Sequence, residues 1–412
     1  MNIQIQYQRS YLTPAMAPGG PVSPWTGTTE AAQAVVDAYL NDRWRGAARE
    51  PRGGALNHPY FVPGGHYEHL WDWDAYFMAT AAWSPEMWRY AEGSLLNLIE
   101  ATAADGRPPK LIRADGSLDL QHPIPLHAQW MDLICTRRDD WTLARTYWDT
   151  LVAIQQWYDA HTRGPDGLYF WLGMAGPGFD NHPGVYGRPD GSVTGVDLNS
   201  FHLQELRAWE RLAVEVGRPN PFAHRAAELR ELLDQWLYDP VDRFYYNLDR
   251  SGTACTVTNQ TVTWPVHLKF RHVSGIMPLW AAVPDQDRAE EVIDGHLLDP
   301  EGLLSPWGIR SLSKREPLYN NVPMANPSNW QGPVWVLTTF LAVRALQRYH
   351  RDEVAQEVAA RLIRTLAADI QGNGVIHEFY HGETGQPLLS PGFLSWNLLA
   401  FGLTASGGHR GE

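Results

Sequence analysis

Two carboxylic acids in unlike settings could share one reaction. Asp180 sits in Gly176-Pro177-Gly178-Phe179-Asp180-Asn181-His182-Pro183, and Glu378 sits in Ile376-His377-Glu378-Phe379-Tyr380. A protonated carboxyl can protonate a leaving oxygen while a second, ionised one activates water. The Gly- and Pro-rich turn can hold Asp180 rigidly. Phe179 and the earlier Trp171 offer apolar walls that favour its protonated form. Glu378 follows Gly372-Asn373-Gly374 among β-favouring residues, and a short extended segment there suits a water-activating base.

Aromatics beside carboxylates and amides can cover the C–H face of a sugar ring while the polar groups bind its hydroxyls. Of the 19 Trp, several lie in such clusters. His66-Tyr67-Glu68-His69-Leu70-Trp71-Asp72-Trp73-Asp74 precedes a helix, which Asp72 or Asp74 could cap. Two Trp and two Asp in four residues also fit a sugar-binding rim, with Trp73 stacking and Asp74 taking hydroxyls. In Asn326-Pro327-Ser328-Asn329-Trp330-Gln331-Gly332-Pro333-Val334-Trp335, Trp335 suits the core and Trp330 and Gln331 the cavity side. In Gly195-Val196-Asp197-Leu198-Asn199-Ser200, Asn199 or Ser200 could cap a helix. The expected pocket is lined by Trp73, Asp74, Gln121, Asn181, Trp330, Gln331 and Trp396. Tyr67, Trp71, Trp171, Tyr186, Arg188, Trp307, His377 and Tyr380 are further candidates. Arg188 and Arg310 could hold a carboxylate on the leaving-group side.

His377 to His381 also reads H-E-x-x-H, a zinc peptidase signature that requires a helix. The extended reading turns His377 and Glu378 to opposite faces, so the zinc peptidase stands as the alternative enzyme. A carbohydrate-binding protein without turnover is the alternative outside catalysis. The acid–base reading needs no metal or organic cofactor.

The elements that must position these groups are helical. Apolar residues recur at helical spacing over 31–45, 75–83, 87–101, 139–161, 199–216, 221–237, 333–350, 352–370 and 395–403. Ser84-Pro85 separates one pair, and Gly217-Arg218-Pro219-Asn220 another. Strand signals are short, at 244–248 and 375–380. The chain has no Gly-rich phosphate loop, βαβ alternation or fixed-period repeat. The expected architecture is an all-α toroid of helix hairpins with long loops over a central cavity. An extended arm over 1–27 precedes one domain over 28–412. A net charge of -13 argues against nucleic-acid or anionic-membrane partners. Two cysteines, Cys135 and Cys255, make no disulfide framework. With no signal-like start and no apolar run of membrane length, a cytoplasmic enzyme is expected. The oligomeric state leaves no sequence signal.

In this order, Leu70-Trp71-Asp72-Trp73-Asp74, Phe179-Asp180-Asn181-His182-Pro183, Val196-Asp197-Leu198-Asn199, Asn329-Trp330-Gln331-Gly332-Pro333-Val334-Trp335 and Glu378-Phe379-Tyr380 resemble glycoside hydrolase family 63. The nearest type is the short bacterial mannosylglycerate and glucosylglycerate hydrolases, with the trehalases more distant. The resemblance implies an (α/α)6 barrel and inverting cleavage of a small α-glucoside or α-mannoside, foremost a glycerate glycoside. It puts the acid at Asp180, the base at Glu378 and the sugar-subsite pair at Trp73 and Asp74. Three positions depart from the family pattern. Gly176-Pro177-Gly178 replaces Glu-Ser-Gly, Gly184 follows Asn-x-Pro where Arg is frequent, and Gln331 replaces the Arg of Trp-Arg-Gly. A missing Arg would remove a contact to an anionic aglycone.

Overall fold

A computed structural model of the chain describes residues 19–251, 266–325 and 327–405. Most of the expected arm and Cys255 lie outside the described residues. Cys135 is a buried free thiol whose pKa burial pushes up to about 11.

The fold is helix-rich. Its α-helices are α1 (Thr29–Arg43), α2 (Asp72–Ala81), α3 (Pro85–Glu100), α4 (His127–Arg138), α5 (Thr142–His161) and α6 (Val196–Val216). They continue with α7 (Arg225–Trp236), α8 (Met277–Trp280), α9 (Gln286–Val292), α10 (Val336–Arg348) and α11 (Asp352–Asn373). Local signals explain many ends. The Ser84 side chain accepts from Met87 N and Pro85 opens α3, as the sequence predicts. Gly217 closes α6 in the left-handed region, at φ 75°.

The structure corrects three expectations. The stretch predicted over 139–161 starts at Thr142, because Asp139 is left-handed (φ 52°) and ends a separate helix, α4. Helix α4 buries His127, Gln129 and Asp132 among its apolar residues, which hides its apolar period. It has no local side-chain cap. Glu205 of α6 accepts from Ala128 N and Gln129 N instead, at 2.6 and 3.1 Å. Helices α8 and α9 also went unforeseen, and the last predicted helix is a 3₁₀ turn, Ser395–Ala400.

Consecutive helices pack as pairs: α2 on α3, α4 on α5, α6 on α7 and α10 on α11. A second series of contacts runs from α2 to α4, α6, α8 and α10, then to the 3₁₀ turn and back to α2. Helix α1 covers α11. The buried apolar side chains form one contiguous cluster from Ala32 to Ala400. No helix among the described residues is long and apolar enough to cross a membrane.

Strands are more numerous than expected but only two or three residues long. Several run straight into helices. Leu70–Trp71 pairs with Leu111–Ile112 and leads into α2. Val193–Thr194 pairs with Phe170–Trp171 and precedes α6. Val334–Trp335 pairs with Phe379–Tyr380 and leads into α10. These ladders tie the loops to the N-terminal ends of the helices. Asp72, Asp74 and Glu378 all lie on or beside them.

Candidate active site

Residues 176–180 hug a tryptophan. An added Cβ at Gly178 would lie 2.0 Å from Trp73 Cζ2, so glycine alone lets this backbone pass. Trp171 supports the same loop from behind. Its ring would lie 2.5 Å from a Cβ at Gly176, and its Nε1 donates to Asp197 at 3.1 Å. Asp180 is then fixed from a third segment: Ser328 N and Ser328 Oγ both donate to its Oδ2, at 2.9 and 2.8 Å. Asn181 accepts from Trp330 N at 2.6 Å and donates to Asn329 at 3.2 Å. Gln331 donates to Asn181 O at 2.9 Å. Asp180 and Asn181 are thus pinned to the loop that enters α10.

Glu378 is held from a second set of segments. Its N–H donates to Leu389 O at 3.0 Å, and Tyr67 Oη lies 3.4 and 3.2 Å from its two oxygens. The neighbouring residues are tied to one buried carboxylate, Asp369. Its Oδ2 accepts from His377 N at 3.0 Å, contacts His377 Nδ1 at 2.8 Å and accepts from Tyr380 Oη at 2.8 Å. Its Oδ1 accepts from Asn373. Burial of such a carboxylate is tolerable because both of its oxygens find donors.

Aromatic rings pack beside these carboxyls. Trp73 is 5.5 Å from Phe179, 6.1 Å from Trp330 and 5.1 Å from Trp396, centroid to centroid. Trp330, expected on the cavity side, is fully buried and stacks at 3.8 Å on Trp335. Phe393 links Trp396 to Tyr67. Asp74 does not cap α2. Its Oδ1 accepts from Ser395 at 2.7 Å, while Asp72 accepts from Trp73 N and Ile124 N.

The carboxyls feel one another. Burial pushes Glu378 up to about 8; the Ser390 and Tyr67 hydroxyls act against this, and the charges of Asp180 and Asp74 add to it. Burial, with the Asp72 and Asp180 charges, takes Asp74 to about 7. Asp180 is raised by burial, while both Ser328 donors favour its ionised form. Like charges in a low dielectric cannot all ionise, so at neutral pH the cluster retains protons and titrates as a unit.

Other expected residues fall elsewhere. Gln121 is solvent-exposed, its N–H held by Asp119. Tyr186 is exposed on its loop. Arg188 pairs with Asp249 at 3.0 Å. Arg310 is buried against Glu383 and the carbonyls of Pro300, Gly302 and Leu304. Each arginine already holds a carboxylate of this chain. Trp307 packs over Gly385. Trp71 is half-buried in its strand. His377 and Tyr380 both contact Asp369, on either side of Glu378 in the chain. The zinc alternative fails on the same geometry. The segment is extended, and His381 Nδ1 accepts from Glu383 N, so the two histidines do not face one metal. Among the described residues no cluster of His, Cys, Asp and Glu is placed to hold a metal ion.

Sequence reasoning missed Ser328, Ser390, Ser395, Asp369 and Lys110. Ser328 and Ser395 stand inside or next to motifs already singled out, and their adjacency to Trp330 and Trp396 was the available signal. Asp369 and Lys110 carried none: one lies in a helix, the other between Pro109 and Leu111.

The model of the mannosylglycerate hydrolase MGH1-like glycoside hydrolase domain matches residues 67–396. An uncharacterized protein of Saccharomyces cerevisiae is 28% identical, over 54% of this chain and 32% of its own length. The periplasmic trehalase of Escherichia coli is 20% identical, over 74% of this chain and 60% of its own. The chain therefore spans about a third to three fifths of these relatives. The GH63 mannosylglycerate hydrolase of Thermus thermophilus has been solved with Tris and D-glycerate and with glucose. It superposes with a TM-score of 0.68 at 19% identity, over 90% of this chain and 99% of that one.

Proposed function

This chain belongs to the mannosylglycerate hydrolase MGH1-like family of glycoside hydrolases, and from that we propose that it cleaves one sugar from a small α-glycoside by inverting single displacement. Asp180 protonates the leaving oxygen. Glu378 takes a proton from a water on the opposite face of the ring. The observation that carries this reading is the buried cluster in which Asp180, Asp74 and Glu378 lie within one another's fields beside Trp73 and Trp396. Trp73 and Asp74 form the sugar subsite. Single displacement also needs the two carboxyls about 6.5–9.5 Å apart, with room for water between them.

The proton inventory sets the resting state. Glu378, pushed up to about 8, holds a proton at neutral pH, and the Ser328 donors favour an ionised Asp180. A glycosidic oxygen that accepts a hydrogen bond from Asp180 favours its protonated form. That neutralises a charge which had raised Glu378, and Glu378 can then ionise. One shared proton changes owner when substrate enters. The two Ser328 donors on Asp180 and the raised Glu378 favour a second reading with the roles exchanged, Glu378 as acid and Asp180 as base.

The cyclic run of contacts from α2 back to α2, with α3, α5, α7 and α11 each paired outside it, supports an (α/α)6 barrel as one catalytic domain over 28–412. A glycerate glycoside and a neutral disaccharide such as trehalose are both open as substrates, by analogy with the relatives' names. Arg188 and Arg310, being paired, do not supply a carboxylate site. The test is a hydrolysis screen of glucosylglycerate, mannosylglycerate, trehalose, kojibiose, nigerose and α-mannobioses. Turnover of at least one, lost in Asp180→Asn and Glu378→Gln, supports the proposal. Binding without turnover across the panel favours a carbohydrate-binding role and overturns it.

A further inference from the structure

We infer that Lys110 is a positioning residue for this reaction: it fastens the loop carrying Asp180 to the strand that starts α2, and it sets a positive charge inside the carboxyl cluster. The inference rests on the roles proposed for Asp180 and Asp74.

The chain has three lysines. Lys269 and Lys314 keep 46% and 34% of their side chains exposed in surface ion pairs, whereas Lys110 is 5% exposed. Burying an ammonium is costly, so its partners define its purpose. Its Nζ donates to Gly176 O at 2.6 Å and to His122 O at 3.4 Å. Its main-chain carbonyl accepts from Asp72 N at 3.0 Å, and its N–H donates to Asp119 O at 2.9 Å. One residue therefore grips the first residue of α2 through its backbone and the acid loop through its side chain. Trp73 lies next to the first grip, Asp180 four residues beyond the second, and Gly178 is pressed against Trp73 between them. The length of the lysine side chain thereby sets the spacing between the sugar subsite and the acid.

The charge acts alongside the tether. Both acceptors are carbonyls, and among the described residues no carboxylate lies within ion-pair distance, so the ammonium is not neutralised by contact. The groups facing it are Asp72 and Asp74 on α2, Asp180 on its loop, and His122 with Arg107 nearby. Burial raises each of the three carboxyls and Lys110 opposes that rise. His122 is driven well below its ordinary value, by burial first and Lys110 second, and stays neutral.

The test compares Lys110→Met with Lys110→Arg in full pH–rate profiles, with Asp180→Asn alongside. Lys110→Met keeps length and loses charge and donor. Misplacing a catalytic group by about 1 Å costs on the order of 10²-fold, and a kcat loss of that size is expected with little change in KM. The limb in which Asp180 takes part should move to higher pH, since Lys110 opposes the burial-driven rise of Asp180, Asp72 and Asp74. Lys110→Arg keeps the charge and disturbs the tether, so its kcat should fall while its limbs stay at wild-type pH. That variant alone decides the electrostatic claim if Lys110→Met does not fold. Limbs unmoved in Lys110→Met, limbs displaced in Lys110→Arg, or losses in both that merely follow a lower melting temperature would overturn the inference and leave the glycosidase reading intact. A fully active Asp180→Asn would overturn that reading and the inference with it.

Discussion

Replacing Ser328 by Ala decides which carboxyl is the acid. The Ser328 hydroxyl donates to Asp180 Oδ2 at 2.8 Å, beside the Ser328 N–H at 2.9 Å. Both bonds favour the ionised carboxyl. The alanine variant loses the first and keeps the second. A hydrogen bond to a charged group contributes about 1.5–3 kcal/mol. At about 1.36 kcal/mol per pH unit, the ionisation in which Asp180 takes part should move about 1–2 pH units upward. The assay is kcat/KM against pH, which reports the free enzyme's acid and base. The limbs belong to the coupled pair, so the plateau between them names the acid: with Asp180 as acid it rises, because more of the singly protonated pair carries its proton there. A plateau that falls would exchange the two roles, and two fixed limbs would remove Asp180 from the rate law. Ser328 Oγ also accepts from Trp330 Nε1 at 3.0 Å, so a melting curve is needed to separate a small stability loss from the profile.

Asp180→Asn and Glu378→Gln should each lower kcat by about 10²–10⁴-fold with an unchanged melting temperature, and wild-type turnover in either would exclude that residue. Gly178→Ala sets a Cβ 2.0 Å from Trp73 Cζ2, so ring or loop must shift. The expected result is a stability loss of about 1–3 kcal/mol from overpacking, with kcat down on the order of 10²-fold. A stable, fully active Gly178→Ala would show that the loop is not held by Trp73. Burial pushes Glu205 up from 4.5 to about 7, so the folded state keeps a proton that the unfolded chain releases near 4.5. That advantage is complete below 4.5 and is lost as pH rises toward 7. The melting temperature of Glu205→Gln should therefore gain on wild type across that window, and a constant difference would refute the assignment.

What the sequence made legible was local. Ser84-Pro85 and Gly217 mark helix ends because capping and left-handed backbone are decided by the residues themselves. The extended run at 379–380 is legible for the same reason. Helix α4 was not, since its first N–H groups are satisfied by Glu205 from α6 and its polar residues face inward. The candidate site divides the same way. Trp73, Asp74 and Trp396 announce themselves by residue type. The support around Asp180 and Glu378 comes from Ser328, Asp369 and Lys110, ordinary residues whose meaning depends on the fold. For Arg188 and Arg310 the sequence concealed the pairing. Each met its carboxylate, Asp249 or Glu383, more than sixty positions away.

The central claim is a single displacement by two carboxyls. Time-resolved proton NMR of wild-type enzyme on its best α-glycoside tests it most directly, because the first-formed anomer records the reaction before mutarotation blurs it. Inversion predicts the β-anomer of the released sugar first. The α-anomer first would mean a covalent intermediate and double displacement, and would contradict the account.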